Sequence, residues 1–132
     1  MAKTVIKYLT KPNIDVVDFI YSFTKTDKLA IDKEITSFLR EDDNFALIIN
    51  TFSRINGLIY FSMDEERAIL NIYKIYLNIG NDITLAIEFL RNKYKGYRMN
   101  FKIDKDNRAI LPAIKKYHPI QEKDKDILTI VL

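Results

Sequence analysis

The chain has 132 residues, of which 48% are apolar and 30% are charged, and it contains no cysteine. This composition predicts a single folded domain with an ordinary core, and it excludes a disordered chain, a collagen-like repeat, a disulfide scaffold and any site that needs a thiol. The single histidine cannot build a multi-histidine metal site, so we expect no metal, and a formal net charge of +3 is too small to indicate a polyanionic partner by itself.

The chain shows no sign of division or of export. No apolar run approaches the ~18 residues of a membrane span, and Lys7 interrupts the first apolar stretch, where a signal peptide needs an unbroken segment. No repeat or linker is visible, so we treat residues 1–132 as one domain and expect it in the cytoplasm. Charge is uneven: residues 1–90 hold 10 basic and 13 acidic residues, whereas residues 91–132 hold 11 and 5.

The first 43 residues predict a strand followed by two helices. Thr4 to Leu9 is rich in β-branched and aromatic residues and stops before Pro12, as a short strand does. Asn13 can cap a helix over about residues 14–24, where apolar residues recur at helical spacing. A second amphipathic helix follows. Its apolar side consists of Ile31, Ile35, Phe38 and Leu39.

Residues 44–77 predict three strands. Residues 45–49 are apolar on both faces, as in a strand buried within a sheet, and Asn56-Gly57 predicts a reversal because both residues accept positive φ. Leu58 to Met63 then returns as the next strand. After an acidic turn, Ala68 to Leu77 is apolar on both faces, with Leu70 and Ile72 on one parity and Ile69 and Ile75 on the other. We expect this strand to be the central one.

The remaining residues predict a helix, a strand, a second helix and a last strand. The first helix follows a short loop at residues 78–82 and carries Ile83, Ala86, Ile87 and Leu90 at helical spacing. Residues 97–103 alternate apolar and polar side chains, the cleanest strand signal in the chain. A short helix begins near Pro112, and Ile127 to Leu132 is the last strand.

The resulting order, β-α-α-β-β-β-α-β-α-β, resembles the GNAT superfamily of N-acetyltransferases. At residue level the resemblance is concentrated in residues 96–110, which are similar to the family's fifth strand followed by an Asn-x-Ala-Ile helix start. It implies an α+β fold with a mixed, mostly antiparallel sheet of six to seven strands and helices on both faces. It also implies binding of acetyl-CoA in a gap between the fourth and fifth strands, and transfer of acetyl to a primary amine.

The resemblance implies a set of cofactor-binding residues. They are Tyr76 and Leu77 at the end of the fourth strand, Gly80, Asn81, Ile83 and Thr84 at the following loop and helix start, and Asn107 beside the pantetheine arm. Backbone groups at a strand edge can pair with amides of pantetheine, and a helix N-terminus favours phosphate. The loop keeps one glycine and carries Asp82 where the phosphates would lie. Gly80 as a plain turn glycine, and Asp82 or Asn107 as helix caps, are the alternatives.

Catalytic candidates follow from the same resemblance. The reaction needs a neutral amine and a general acid, usually tyrosine, for the leaving thiolate. The family position is occupied by Ala113, so Tyr117, one helical turn later, is the first substitute, and Tyr73 and Tyr76 on the fourth strand are next. Histidine is the residue type that ordinarily titrates near neutrality, so His118, the single histidine, is a further candidate acid or base. The alternatives are a core-facing Tyr117 and a surface His118.

Three functions therefore compete. The first is an acetyltransferase that uses a CoA thioester and an amine acceptor. The second is a catalytically degenerate GNAT-like protein that binds a protein or small-ligand partner, as the altered loop suggests. The third is nucleic-acid binding through basic residues 91–116, which is disfavoured because the aromatic residues fall at core spacing.

Overall fold

A computed structural model describes residues 4–78, 82–102, 111–121 and 127–132. In these ranges the strands are β1 (Thr4–Leu9), β2 (Asn44–Thr51), β3 (Arg54–Asp64), β4 (Ile69–Leu77), β5 (Arg98–Lys102), β6 (Ile120–Gln121) and β7 (Ile127–Val131). The helices are α1 (Ile14–Thr24), α2 (Lys28–Leu39), α3 (Asp82–Lys93) and α4 (Leu111–Ile114), the last followed by a 3₁₀ turn, Lys115–Tyr117. No helix in the described ranges has the length and apolar character needed to cross a membrane.

The strands form one sheet in the order β1-β2-β3-β4-β5-β7-β6. Every neighbouring pair is antiparallel except β4 and β5, which run parallel. This confirms the predicted fold class, a mixed and mostly antiparallel sheet in an α+β chain, and the prediction that the strand ending at Leu77 is central. The two-residue strand β6 was not predicted, because so short a segment carries no periodicity to detect.

Helices cover both faces of the sheet, as predicted. Helices α3 and α4 pack with buried residues of β2 to β5 and β7 in one core, whereas α1 and α2 pack with the opposite face of β2, β3 and β4 in a second core. Helix α1 begins where Asn13 predicts it, because the Asn13 Oδ1 accepts a hydrogen bond from the backbone N–H of Val16 at 2.9 Å. We call the two sides the α3 face and the α1/α2 face.

The predicted reversal at Asn56-Gly57 is wrong. Strands β2 and β3 turn at Phe52 and Ser53, whose φ values of 53° and 64° suit a two-residue hairpin loop. Asn56 is instead the extra residue of a β-bulge inside β3. A Cβ at Gly57 would lie 2.5 Å from the Leu77 Cδ2 and 2.9 Å from the Ile49 Cδ1, so a larger residue would need these side-chain ends to shift.

A second bulge interrupts β4. Tyr60 pairs with Lys74 and Phe61 pairs with Ile72, so Tyr73 is the extra residue. The bulge reverses the alternation of side chains along β4. Ile72 and Ile75 consequently share the core of the α3 face, although their sequence parity assigned them to opposite faces.

Candidate functional site

Strands β4 and β5 separate in the middle of the sheet. They pair only over three positions, from Ile69 with Arg98 to Asn71 with Asn100, and β4 then continues to Leu77 without β5 beside it. A cavity of about 150 Å³ lies where the strands part. It is lined by Asn71, Ile72, Asn100, Phe101 and Ile127. Among the described residues, no strand pairs with β4 beyond Asn71 on the β5 side.

A row of polar side chains crosses the α1/α2 face at the level of this gap. The strand registers place these residues side by side: Asn44, Ser62, Asn71, Asn100 and Thr129. The Thr129 hydroxyl donates a hydrogen bond to the Asn100 Oδ1 at 2.8 Å. The mouth of the gap is therefore polar on this face, while Leu70, Met99 and Phe101 close it with apolar side chains on the other.

Tyr76 lies on the α1/α2 face, away from the cavity in the gap. Its ring contacts Phe23 and Tyr60 at centroid distances of 5.6 and 6.3 Å. Burial raises the pKa of the Tyr76 phenol, and a hydrogen bond with Lys74 opposes that rise. Leu77 is half-buried and packs against the core of the α3 face.

Tyr117 lies on the opposite side of the sheet. Its ring packs against the core of the α3 face, and its hydroxyl donates a hydrogen bond to the Glu88 Oε1 of α3 at 2.7 Å. Burial, and next the bond to Glu88, raise the pKa of Tyr117 to about 12. The phenol thus keeps its proton throughout the neutral range and remains a candidate acid.

His118 follows directly and is exposed. It adopts a left-handed conformation with φ of 52°, and its backbone N–H closes the 3₁₀ turn onto Lys115. Among the described residues its side chain has no hydrogen-bond or charge partner. Its catalytic role stays a prediction.

Solved structures are similar to this chain in fold. N-acetyltransferase PseH from Campylobacter jejuni, solved in complex with acetyl coenzyme A, matches with a TM-score of 0.68 and 18% identity over 97% of this chain and 96% of that one. The Salmonella typhimurium acetyl transferase that modifies the N-terminal serine of ribosomal protein L7/L12 matches with a TM-score of 0.71 and 10% identity, over 98% and 95% of the two chains. The chain has the GNAT fold. No protein-family model and no curated protein matches the sequence.

A third solved structure is similar in fold. A probable GNAT-family acetyltransferase from Chromobacterium violaceum matches with a TM-score of 0.72 and 12% identity, over 97% of this chain and 87% of that one.

Two of the residues predicted to bind the cofactor lie in the first turn of α3. Ile83 is completely buried and leaves only its backbone N–H for a ligand, whereas Thr84 is half-buried. Gly80, Asn81 and Asn107 lie outside the described residues.

The sequence-based prediction missed a second cavity beside the gap. It measures about 420 Å³ on the α1/α2 face, where α2 passes over β2, β3 and β4. It is lined by Glu34, Ser37, Phe38, Asn44, Tyr60, Ser62 and Tyr73. Glu34 is four residues before Phe38 on α2, at the border of its apolar side, and that spacing is the signal that could have drawn attention to it.

The described residues hold no cluster of three or more histidine, cysteine, aspartate or glutamate side chains suited to a metal ion. The charged groups near the two cavities are few. Glu34 and Lys74 form an ion pair of 3.8 Å, and each side chain is about half exposed at 50% and 44%. Among the described residues, the groups near the two cavities are therefore hydroxyl, amide and aromatic groups together with the Glu34–Lys74 ion pair.

Alkaline pH should destabilise the fold. Burial raises the pKa of Tyr94 and Tyr117 to about 12, above the ~10 of an unfolded tyrosine. The unfolded chain therefore loses these protons first, so their contribution is complete below pH ~10 and is lost as pH rises towards ~12. Urea unfolding at pH 8 to 11 measures this loss. The Tyr94→Phe/Tyr117→Phe variant should lose less stability over that range, and equal losses in the two proteins would contradict the assignment.

Proposed function

We propose that this chain is an N-acetyltransferase that moves the acetyl group of acetyl-CoA to a primary amine. The observation that carries the proposal is the separation of β4 from β5 after Asn71, which opens a polar-edged gap in an otherwise continuous sheet. The GNAT fold of solved acetyltransferases supports it, one of them in complex with acetyl coenzyme A.

The chain's own groups fit a CoA thioester at this gap. The open edge of β4 up to Tyr76 and Leu77 offers backbone donors and acceptors to amides, as an added strand would use them. The first turn of α3 offers backbone N–H groups from Ile83 and Thr84 with the positive end of the helix dipole, which suits phosphate. Gly80, Asn81 and Asn107 complete the proposed set.

Acetyl transfer needs few catalytic groups from the protein. When bound, acetyl-CoA supplies the activated acetyl thioester. The neutral amine nitrogen bonds to the acetyl carbon as the carbon–sulfur bond breaks; the amine gives up one proton, and the leaving thiolate takes one up. Tyr117, whose pKa is raised to about 12 so that it is protonated at neutral pH, is our first candidate for delivering that proton, with Tyr76 and His118 as the alternatives. The bulge makes Tyr73 the extra residue of β4, two residues beyond the last position that pairs with β5.

Calorimetric titration of acetyl-CoA into the pure protein tests the proposal. We expect one site per chain with micromolar affinity and release of free CoA thiol when an amine acceptor is added. Binding without turnover of any amine would favour the alternative, a degenerate GNAT-like protein that acts through a protein or small-ligand partner. Absence of binding at high micromolar acetyl-CoA would contradict the proposal. A cytoplasmic location stays a prediction.

A further inference from the structure

The 420 Å³ cavity beside the gap has an aromatic floor and wall. The Phe38 ring stacks between Tyr60 and Tyr73, with centroid distances of 5.0 and 5.3 Å. Tyr73 is 62% exposed although it belongs to the central strand, because the bulge turns it out of the regular alternation. The cavity therefore offers a ligand the aromatic ring of Tyr73, which belongs to the strand that also borders the gap.

The Tyr60 hydroxyl is the one buried side-chain polar atom of the described residues that has no hydrogen-bond partner. Tyr60 as a whole is only 2% exposed. Tyr60 lines the cavity together with Glu34 and Tyr73. A ligand oxygen that accepts a hydrogen bond from this hydroxyl would remove the cost of leaving it unsatisfied.

The cavity also lies close to the point along the strands where β4 and β5 separate. Ser62 on its wall pairs with Asn71, and Asn71 pairs with Asn100 at the last position before β4 and β5 part. Tyr73 is two residues further along β4. A ligand in the cavity would therefore present its reactive atom next to the opening of the gap.

From these observations we propose that this cavity binds the acceptor, and that the acceptor is a small primary amine that also carries hydroxyl groups. The inference rests on the proposed acetyltransferase function. The Glu34 carboxylate receives the ammonium group, the exposed Tyr73 ring packs against the hydrocarbon face, and the Tyr60 hydroxyl donates a hydrogen bond to a ligand oxygen. The neutral partners for the remaining hydroxyls are Ser37, Asn44 and Ser62.

The lining groups disfavour the two other common kinds of amine. A polyamine carries several positive charges, but the described residues that line the cavity include one carboxylate, Glu34, and Lys74 already lies 3.8 Å from it. A peptide needs an extended groove or a free strand edge for its backbone, whereas β3 and β4, which form the floor, are paired with each other, and the open edge of β4 is the one proposed to bind the cofactor. Among the described lining residues, neutral hydrogen-bonding groups outnumber charged groups, as binding of a hydroxylated ligand requires.

The test compares glucosamine, spermidine and a serine-initiated hexapeptide as acceptors at saturating acetyl-CoA. We expect kcat/KM for glucosamine to be at least about tenfold higher than for the other two, a difference worth ~1.4 kcal/mol. A higher kcat/KM for spermidine or the peptide, or no acetylation of glucosamine by a protein that binds acetyl-CoA, would overturn the inference. Failure to bind acetyl-CoA in the calorimeter would instead overturn the proposed function.

Two variants locate the acceptor. Tyr60→Phe and Glu34→Gln should each raise the KM for glucosamine about tenfold and leave the affinity for acetyl-CoA unchanged. Tyr60→Phe should leave the free energy of unfolding unchanged or higher, because it removes an unsatisfied buried hydroxyl. The matched controls are Tyr21→Phe and Glu41→Gln at exposed positions. An unchanged glucosamine KM in both variants, or a fall in stability with no change in KM, would refute the placement.

Discussion

Replacement of Asn71 by tryptophan should reduce acetyl-CoA affinity by at least about 100-fold. Asn71 lines the 150 Å³ cavity and stands at the last position where β4 pairs with β5. An indole at this point fills the mouth of the gap. Because Asn71 is exposed, the free energy of unfolding should change by no more than ~0.5 kcal/mol.

Asn92→Trp is the matched control, since it places the same indole on an exposed position of α3. It should bind acetyl-CoA with wild-type affinity in the same calorimetric titration. Wild-type affinity in Asn71→Trp, with the variant folded by circular dichroism, would show that the cofactor does not enter between β4 and β5. Equal losses in both variants would point to a general effect of the added ring.

Helix positions were predictable because their signals are local. Asn13 and the apolar spacing after it lie within a few turns, so α1 begins and ends where the sequence predicts. The bulges at Asn56 and Tyr73 depend on how a strand pairs with its neighbour, and that pairing is a long-range property. The Asn56-Gly57 pair was therefore mistaken for a turn.

The bulge at Tyr73 also explains why the candidate site was only partly predictable. Sequence order groups Tyr76 and Tyr117 as interchangeable acids, but the structure places them on opposite faces of the sheet. Glu34 was missed because a charged residue on an amphipathic helix ordinarily faces water. Its spacing from Phe38 marks the border of the apolar side of α2, but its position over β4 follows from how α2 crosses the sheet.

The opposite placement of the two tyrosines makes the source of the proton measurable. Tyr117→Phe should lower kcat by about 100-fold or more, the usual range for loss of a general acid, with little change in the affinity for acetyl-CoA. Loss of the hydrogen bond to Glu88 should cost about 0.5–1.5 kcal/mol of stability, too little to unfold the protein. Steady-state kinetics with a thiol-trapping reagent, alongside urea unfolding, separate the two effects.

The pH profile distinguishes a proton donor from a structural tyrosine. If Tyr117 donates the proton, kcat should not fall at any pH below ~10 through deprotonation of this phenol, because its pKa is raised to about 12. Tyr21→Phe, on the exposed side of α1, serves as the control with unchanged kcat. If Tyr76→Phe rather than Tyr117→Phe abolishes turnover, the proton reaches the thiolate from the α1/α2 face. Full activity in both variants would leave the thiolate to be protonated by water or by His118, and the assignment of Tyr117 as the acid would fall.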